Sequence, residues 1–149
     1  MILGNLEKSY EVGDRESRTN MAYASLLAGL AFSAAKTAAS HACSFPISAY
    51  YQLPHGEACA FTLDSLIKIN ADERLEALAK AVGFDNTDAL ADEINRLKRI
   101  SGLAMKLSDV SESFDVDLIA RESAVHPLMA NNPVSLSQED LKKMFEALR

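Results

Sequence analysis

Two histidines, His41 and His55, stand fourteen positions apart in the stretch SHACSFPISAYYQLPHGEACAF. Imidazole nitrogens are the commonest metal donors, and ligation needs neutral rings brought together from rigid elements. A turn through Tyr50 to Leu53 that folds one helix back on the next would bring both rings to one place. Two rings are still only part of a site, because structural zinc takes a full tetrahedral set and a catalytic metal keeps most of one. From spacing alone, satisfied core or capping histidines explain the pair more readily than metal ligation does.

The other chemistry-bearing residues point to less. Glu122 and His126 stand four apart, a spacing that puts two side chains on one helix face, but their segment is polar and a solvated pair is the simpler expectation. Ser40 adjoins His41, and neighbouring helix residues point in different directions, so the two do not form a nucleophile and base. Cys43 and Cys59 lie in apolar, helix-like segments with no cationic neighbour in sequence to activate a thiol, which predicts buried, reduced cysteines. Tyr50 and Tyr51 are expected to pack as amphipathic aromatics. No glycine-rich phosphate loop occurs.

The bulk numbers set the frame for these residues. Fifteen basic against twenty-one acidic residues give a formal net charge of −6, with the basic residues scattered, so the electrostatic footprint of a nucleic-acid binder or an anionic-membrane binder is missing. A chain of 149 residues, 48% of them hydrophobic, suits a single helical domain spanning 1–149 with its own core. The uncharged run NMAYASLLAGLAFSAA is short for a bilayer span, and its small residues predict a central helix enclosed by others. Without a secretory signal, the expected location is cytoplasmic.

The elements that would position the histidines are helical throughout. Spacing of 3.6 type recurs along the chain and strand-like alternation does not, which predicts an all-α, multi-helix bundle of about seven or eight helices. ILGNLEKSYE forms a first helix, Gly13 and Asp14 break it, and Asp14 caps a long helix through Lys36. A third runs from Thr37 to Tyr51, kinked or restarted at Pro46. Pro54 falls in the first turn of the next, HGEACAFTLDSLIKIN, so His55 opens it. Further helices are expected over Leu75 to Val82, stopped by Gly83, over ALADEINRLKRISG behind a cap at Asp85 to Thr87, and over Asp115 to Val125 after a loop through Ser108 and Ser111. The last starts at a capping-box-like pair, Ser137 and Asp140, and buries Leu141, Met144, Phe145 and Leu148.

Three stretches together resemble a known family: SLLAGLAFS, then KTAASHACSFPISAYYQLPHGEACA, and finally NNPVSLSQEDL before the last helix. They are similar to the C-terminal helical domain of the iron-containing (group III) alcohol dehydrogenases, nearest the phosphonoacetaldehyde reductase-like branch, over nearly the whole chain. The resemblance implies that His41 and His55 are two of the protein ligands of a catalytic divalent metal, Fe²⁺ or Zn²⁺, with an incomplete ligand set here. It also implies that an aspartate and a histidine completing the set, and the glycine-rich NAD(P)-binding half, belong to an N-terminal domain missing from this chain. Many members carry a further histidine where this chain has Phe45, so a proton-relay role there is absent or moved.

Three expectations follow from the resemblance. The chain is the metal-binding half of an NAD(P)-dependent dehydrogenase acting on a small aldehyde or alcohol, inactive alone, with an exposed apolar face that can drive homo-oligomerisation. Alternatively it is a stand-alone helical binding or assembly module derived from a truncated gene, or it is completed in trans by a separately encoded nucleotide-binding half.

Overall fold

Residues 1–149 are described by a computed structural model. The chain is all-α, with ten α-helices, one 3-10 segment and no strand. Its contacts group into two compact units, Met1–Lys36 and Thr37–Arg149.

The first unit is a helical hairpin of α1 (Ile2–Glu11) and α2 (Arg15–Ala35). The break between them has a local cause. Gly13 takes φ 66, in the left-handed region that favours glycine, and a Cβ there would come within 2.6 Å of the Arg18 guanidinium and displace it. Asp14 then accepts from the Ser17 N–H at 2.8 Å as the N-cap of α2. Asn20 donates to Asn5 across the hairpin at 2.9 Å. Where the small-residue run predicts an enclosed helix, α2 buries only Ser17 and Ala24 and leaves Tyr23, Leu26, Leu27, Leu30 and Phe32 more than half exposed. The composition that allows close helix approach does not itself provide neighbours. No helix is long and apolar enough to cross a membrane.

The second unit holds the core. Helix α3 (Ala39–Tyr51) runs through its centre against α4 (His55–Phe61) and α9 (Val116–Ala124), and α9 also packs on α10 (Gln138–Glu146). Ala42, Cys43 and Ile47 of α3 meet Ala58 and Phe61 of α4, Ile119 and Ala120 of α9, and Leu141, Met144 and Phe145 of α10. Burying a large apolar side chain such as Phe61 or Phe145 stabilises the fold by about 1.5 to 3 kcal/mol. The helix continues through Pro46, which lies inside α3 and is buried. Leu141, Met144 and Phe145 form the expected stripe of α10, whose start is a complete capping box of Ser137 and Asp140.

Several element boundaries differ from the sequence expectation. HGEACAFTLDSLIKIN is two helices, α4 and α5 (Leu63–Ile69), broken at Thr62. At this break Thr62 turns to φ −100 and ψ −3, and the Lys98 ammonium donates to the Phe61 carbonyl beside it at 3.0 Å. Helix α6 (Glu73–Ala81) is capped by Asp72 and ends before Gly83, whose φ is 98. Asn86, within the expected window, caps α7 (Thr87–Ile100). The stretch read as a loop contains a short helix, α8 (Leu107–Val110), because Asp109 reaches back to the N–H groups of Met105 and Lys106 at 3.0 Å each. Pro127 opens a 3-10 segment, Pro127–Asn131, rather than only ending α9.

Candidate metal centre

His41 sits in the first turn of α3 and His55 is the first residue of α4. Helix α3 ends at Gln52, which adopts φ 57 and ψ 21, and this left-handed cap reverses the chain into Leu53 and Pro54. A non-glycine residue there costs of order 1 kcal/mol, which the packing of α3 on α4 must outweigh. The reversal brings the His41 and His55 rings edge to face, with centroids 5.5 Å apart.

A third donor lies beside them. Cys59 follows His55 by one helical turn, on the same face of α4, and its Sγ is 3.7 Å from His55 Nε2. One ligating atom from each of His41, His55 and Cys59 lies within 4.8 Å of the others. The sequence offered this cysteine as i, i+4 from a histidine on a predicted helix; reading it only for an activating cation missed that register.

Hydrogen bonds fix the arrangement. The Ser40 hydroxyl donates to the Cys59 carbonyl at 2.8 Å, tying α4 to the residue before His41. The Ser44 hydroxyl donates to the His41 carbonyl at 2.8 Å, which uses its only proton. Its oxygen then faces His55 Nδ1 at 3.3 Å as an acceptor, assigning the proton of His55 to Nδ1 and leaving the Nε2 lone pair on the Cys59 side. Glu57 accepts from the Ala104 N–H at 2.9 Å, anchoring α4 to the segment after α7.

The electrostatics favour uncharged donors. Burial, with a contribution from His55, holds the His41 imidazole below its ordinary pKa, toward the neutral form that ligates. Burial also raises the Cys59 thiol. Cys43 is enclosed in the core and its thiol is pushed up to about 12, chiefly by burial, which matches the inert, reduced cysteine expected there.

The remaining candidates separate. Phe45 packs between two imidazoles, stacked on His126 at 4.7 Å and tilted on His55 at 5.4 Å, so an apolar ring stands where the resemblance raised a proton relay. Glu122 and His126 do not pair. Helix α9 stops at Ala124, His126 Nδ1 accepts from the Leu128 N–H at 3.3 Å, and Glu122 accepts from Arg121 at 3.2 Å. Tyr51 stacks on Phe114 at 4.7 Å and receives the Asp115 N–H at 2.7 Å, whereas Tyr50 is exposed. In the NNP stretch, Asn132 and Asn70 exchange two amide hydrogen bonds and Asn131 donates to the Thr37 carbonyl at 3.1 Å, a structural clasp.

The donor set fits a divalent cation. Two imidazoles and a thiol are borderline-to-soft ligands, and a tetrahedral site with metal–nitrogen bonds of about 2.1 Å and a metal–sulfur bond of about 2.3 Å places N and S about 3.6 Å apart, close to the 3.7 Å between Cys59 and His55.

The chain matches known proteins over nearly its whole length. The C-terminal family model for Fe-containing alcohol dehydrogenases matches residues 1–149. The chain is 32% identical to the NADPH-dependent butanol dehydrogenase of Clostridium saccharobutylicum, over 99% of this chain and 42% of that protein. It is 29% identical to the 1,3-propanediol dehydrogenase of Citrobacter freundii, over 97% and 41%. Among solved structures, sulfoacetaldehyde reductase from Bifidobacterium kashiwanohense in complex with NAD+ superposes with a TM-score of 0.90 at 38% identity, over 99% of this chain and 40% of that one. The chain thus spans about two fifths of the length of these relatives. By its sequence and its fold, it belongs to the Fe-containing alcohol dehydrogenase family, matching that family's C-terminal domain.

Proposed function

We propose that this chain is the metal-binding helical part of an NAD(P)-dependent alcohol dehydrogenase or aldehyde reductase, with His41 and His55 holding a divalent cation, Fe²⁺ or Zn²⁺. The observation that carries the proposal is the convergence of the two rings, from separate helices, with centroids 5.5 Å apart and with His55 Nδ1 3.3 Å from the Ser44 hydroxyl. When bound, such a cation supplies Lewis-acid polarisation of a carbonyl or alkoxide oxygen.

The protein's own part is positional. Ser44 holds His55 in the Nδ1–H tautomer, Ser40 fixes α3 to α4, and Phe45 screens the His55 ring from solvent on one side. In this account the nicotinamide is bound by polypeptide beyond these 149 residues, in keeping with relatives of more than twice this length. The substrate is a small aldehyde or alcohol. Similarity at 38% identity to a sulfoacetaldehyde reductase, together with the resemblance to the phosphonoacetaldehyde reductase-like branch, favours an aldehyde carrying a compact anionic group.

The test is to load the purified chain with Zn²⁺ or Fe²⁺ and follow nicotinamide absorbance with NADH or NADPH and a short aldehyde, with and without a nucleotide-binding half from a relative. The expected result is metal uptake with no turnover by the chain alone, and turnover on adding the missing half. Robust reduction by the chain alone, or no metal uptake, contradicts the proposal.

A further inference from the structure

We propose that Cys59 is a third metal donor, so that this chain by itself presents a two-imidazole, one-thiolate site with an open fourth position. The inference rests on the reading that His41 and His55 bind a cation, and it goes beyond that reading in naming a sulfur ligand and the class of metal it selects.

Four observations carry it. Cys59 and His55 occupy successive turns of one face of α4, and their Sγ and Nε2 atoms are already at the separation that a tetrahedral N and S edge requires, so no backbone movement is needed for this pair. The three ligating atoms all lie within 4.8 Å of one another, about 1 Å beyond the edge of a tetrahedral N and S set at most. The Ser40 hydroxyl donates to the Cys59 carbonyl itself, so one of the hydrogen bonds that tie α3 to α4 here is made at the residue bearing the thiol. Cys59 is only part-buried, which leaves a route for an ion, whereas Cys43 is sealed in the core.

Binding is a ligand exchange. The sulfur–hydrogen bond of Cys59 breaks, its proton passes to water or buffer, and the sulfur lone pair forms the metal–sulfur bond as coordinated water leaves; no electron is transferred. A thiolate beside two imidazoles selects borderline and soft cations such as Zn²⁺ and Co²⁺ over Mg²⁺ and Mn²⁺, which prefer oxygen.

Cobalt(II) tests this with a readout independent of activity, because thiolate ligation produces a near-ultraviolet charge-transfer band. The unmodified 149-residue chain titrated with Co²⁺ is expected to develop that band. Cys59→Ala is expected to lose it and to bind roughly tenfold more weakly or worse, while keeping the visible d–d bands from the imidazoles. Co²⁺ binding without the band, or equal affinity in Cys59→Ala, overturns the inference and leaves the two-histidine site standing. No Co²⁺ binding by the unmodified chain overturns the site as a whole. Should Cys59→Ala misfold, alkylation of the unmodified chain decides: Zn²⁺ is expected to protect Cys59 from maleimide, and unchanged labelling with Zn²⁺ bound overturns the thiolate assignment.

Discussion

The hairpin Met1–Lys36 and the helical body Thr37–Arg149 put similar residues to opposite use. In the hairpin, leucines and aromatics of α2 lie in solvent, Leu30 being 62% exposed, and helix order rests on length, a good cap and one interhelical amide bond. In the body, Phe61, Ile119, Leu141 and Phe145 are fully buried and α3 is enclosed on several sides. Apolar content therefore does not locate a core; the number of elements that return to the same place does. The candidate metal centre is built in the enclosed unit, where packing can hold a left-handed Gln52 and converging imidazoles.

The contrast can be broken by substitution. Phe61→Ala opens a cavity under α4 and should destabilise the body by about 3 to 5 kcal/mol in urea unfolding. A penalty near zero would mean that the core is not packed as described.

Lys98→Ala should cost about 3 to 5 kcal/mol, since it leaves a buried carboxylate without its partner. Lys98 is 3% exposed at its side chain and bonds Asp64 at 2.6 Å and the Phe61 carbonyl at 3.0 Å. Burial acts against the ionised Asp64, but hydrogen bonds from Asn95 and Lys98 and the Lys98 charge outweigh it and hold the carboxyl below its ordinary value of 3.8. The folded chain then binds fewer protons than the unfolded chain in acid. Its contribution is complete above pH 3.8 and is lost as pH falls through the lower folded value. Asp64→Asn should flatten that acid limb in denaturation measured from pH 5 downward, a window set by the ordinary and the lowered pKa.

Smaller effects should follow at the periphery. Asn86→Ala removes the cap of α7 and should cost about 1 kcal/mol, whereas Leu30→Ala in the hairpin should change unfolding free energy by no more than about 0.5 kcal/mol. A large Leu30 penalty would show that α2 is covered in solution.

Much of this was legible in the chain. Asp14, Ser137 with Asp140 and the Pro54 junction announce helix starts through local hydrogen bonding and fixed φ, which depend on a few adjacent residues. The split at Thr62 was not legible in local propensity, and the Lys98 ammonium that bonds the Phe61 carbonyl beside it comes from thirty-seven positions away. The exposure of α2 was hidden for a related reason: small residues permit close packing without saying whether anything packs. His41 and His55 were visible as candidates by type and by family resemblance. Cys59 needed the α4 register, and the role of Ser44 needed the count of hydroxyl protons that only three-dimensional contacts give.

The central claim is that His41 and His55 together hold a divalent cation, and equilibrium dialysis against Zn²⁺ tests it most directly. The unmodified chain should retain a stoichiometric ion, and a folded His41→Ala, His55→Ala double variant should retain none above background. Equal retention by both, or none by the unmodified chain, would contradict the account.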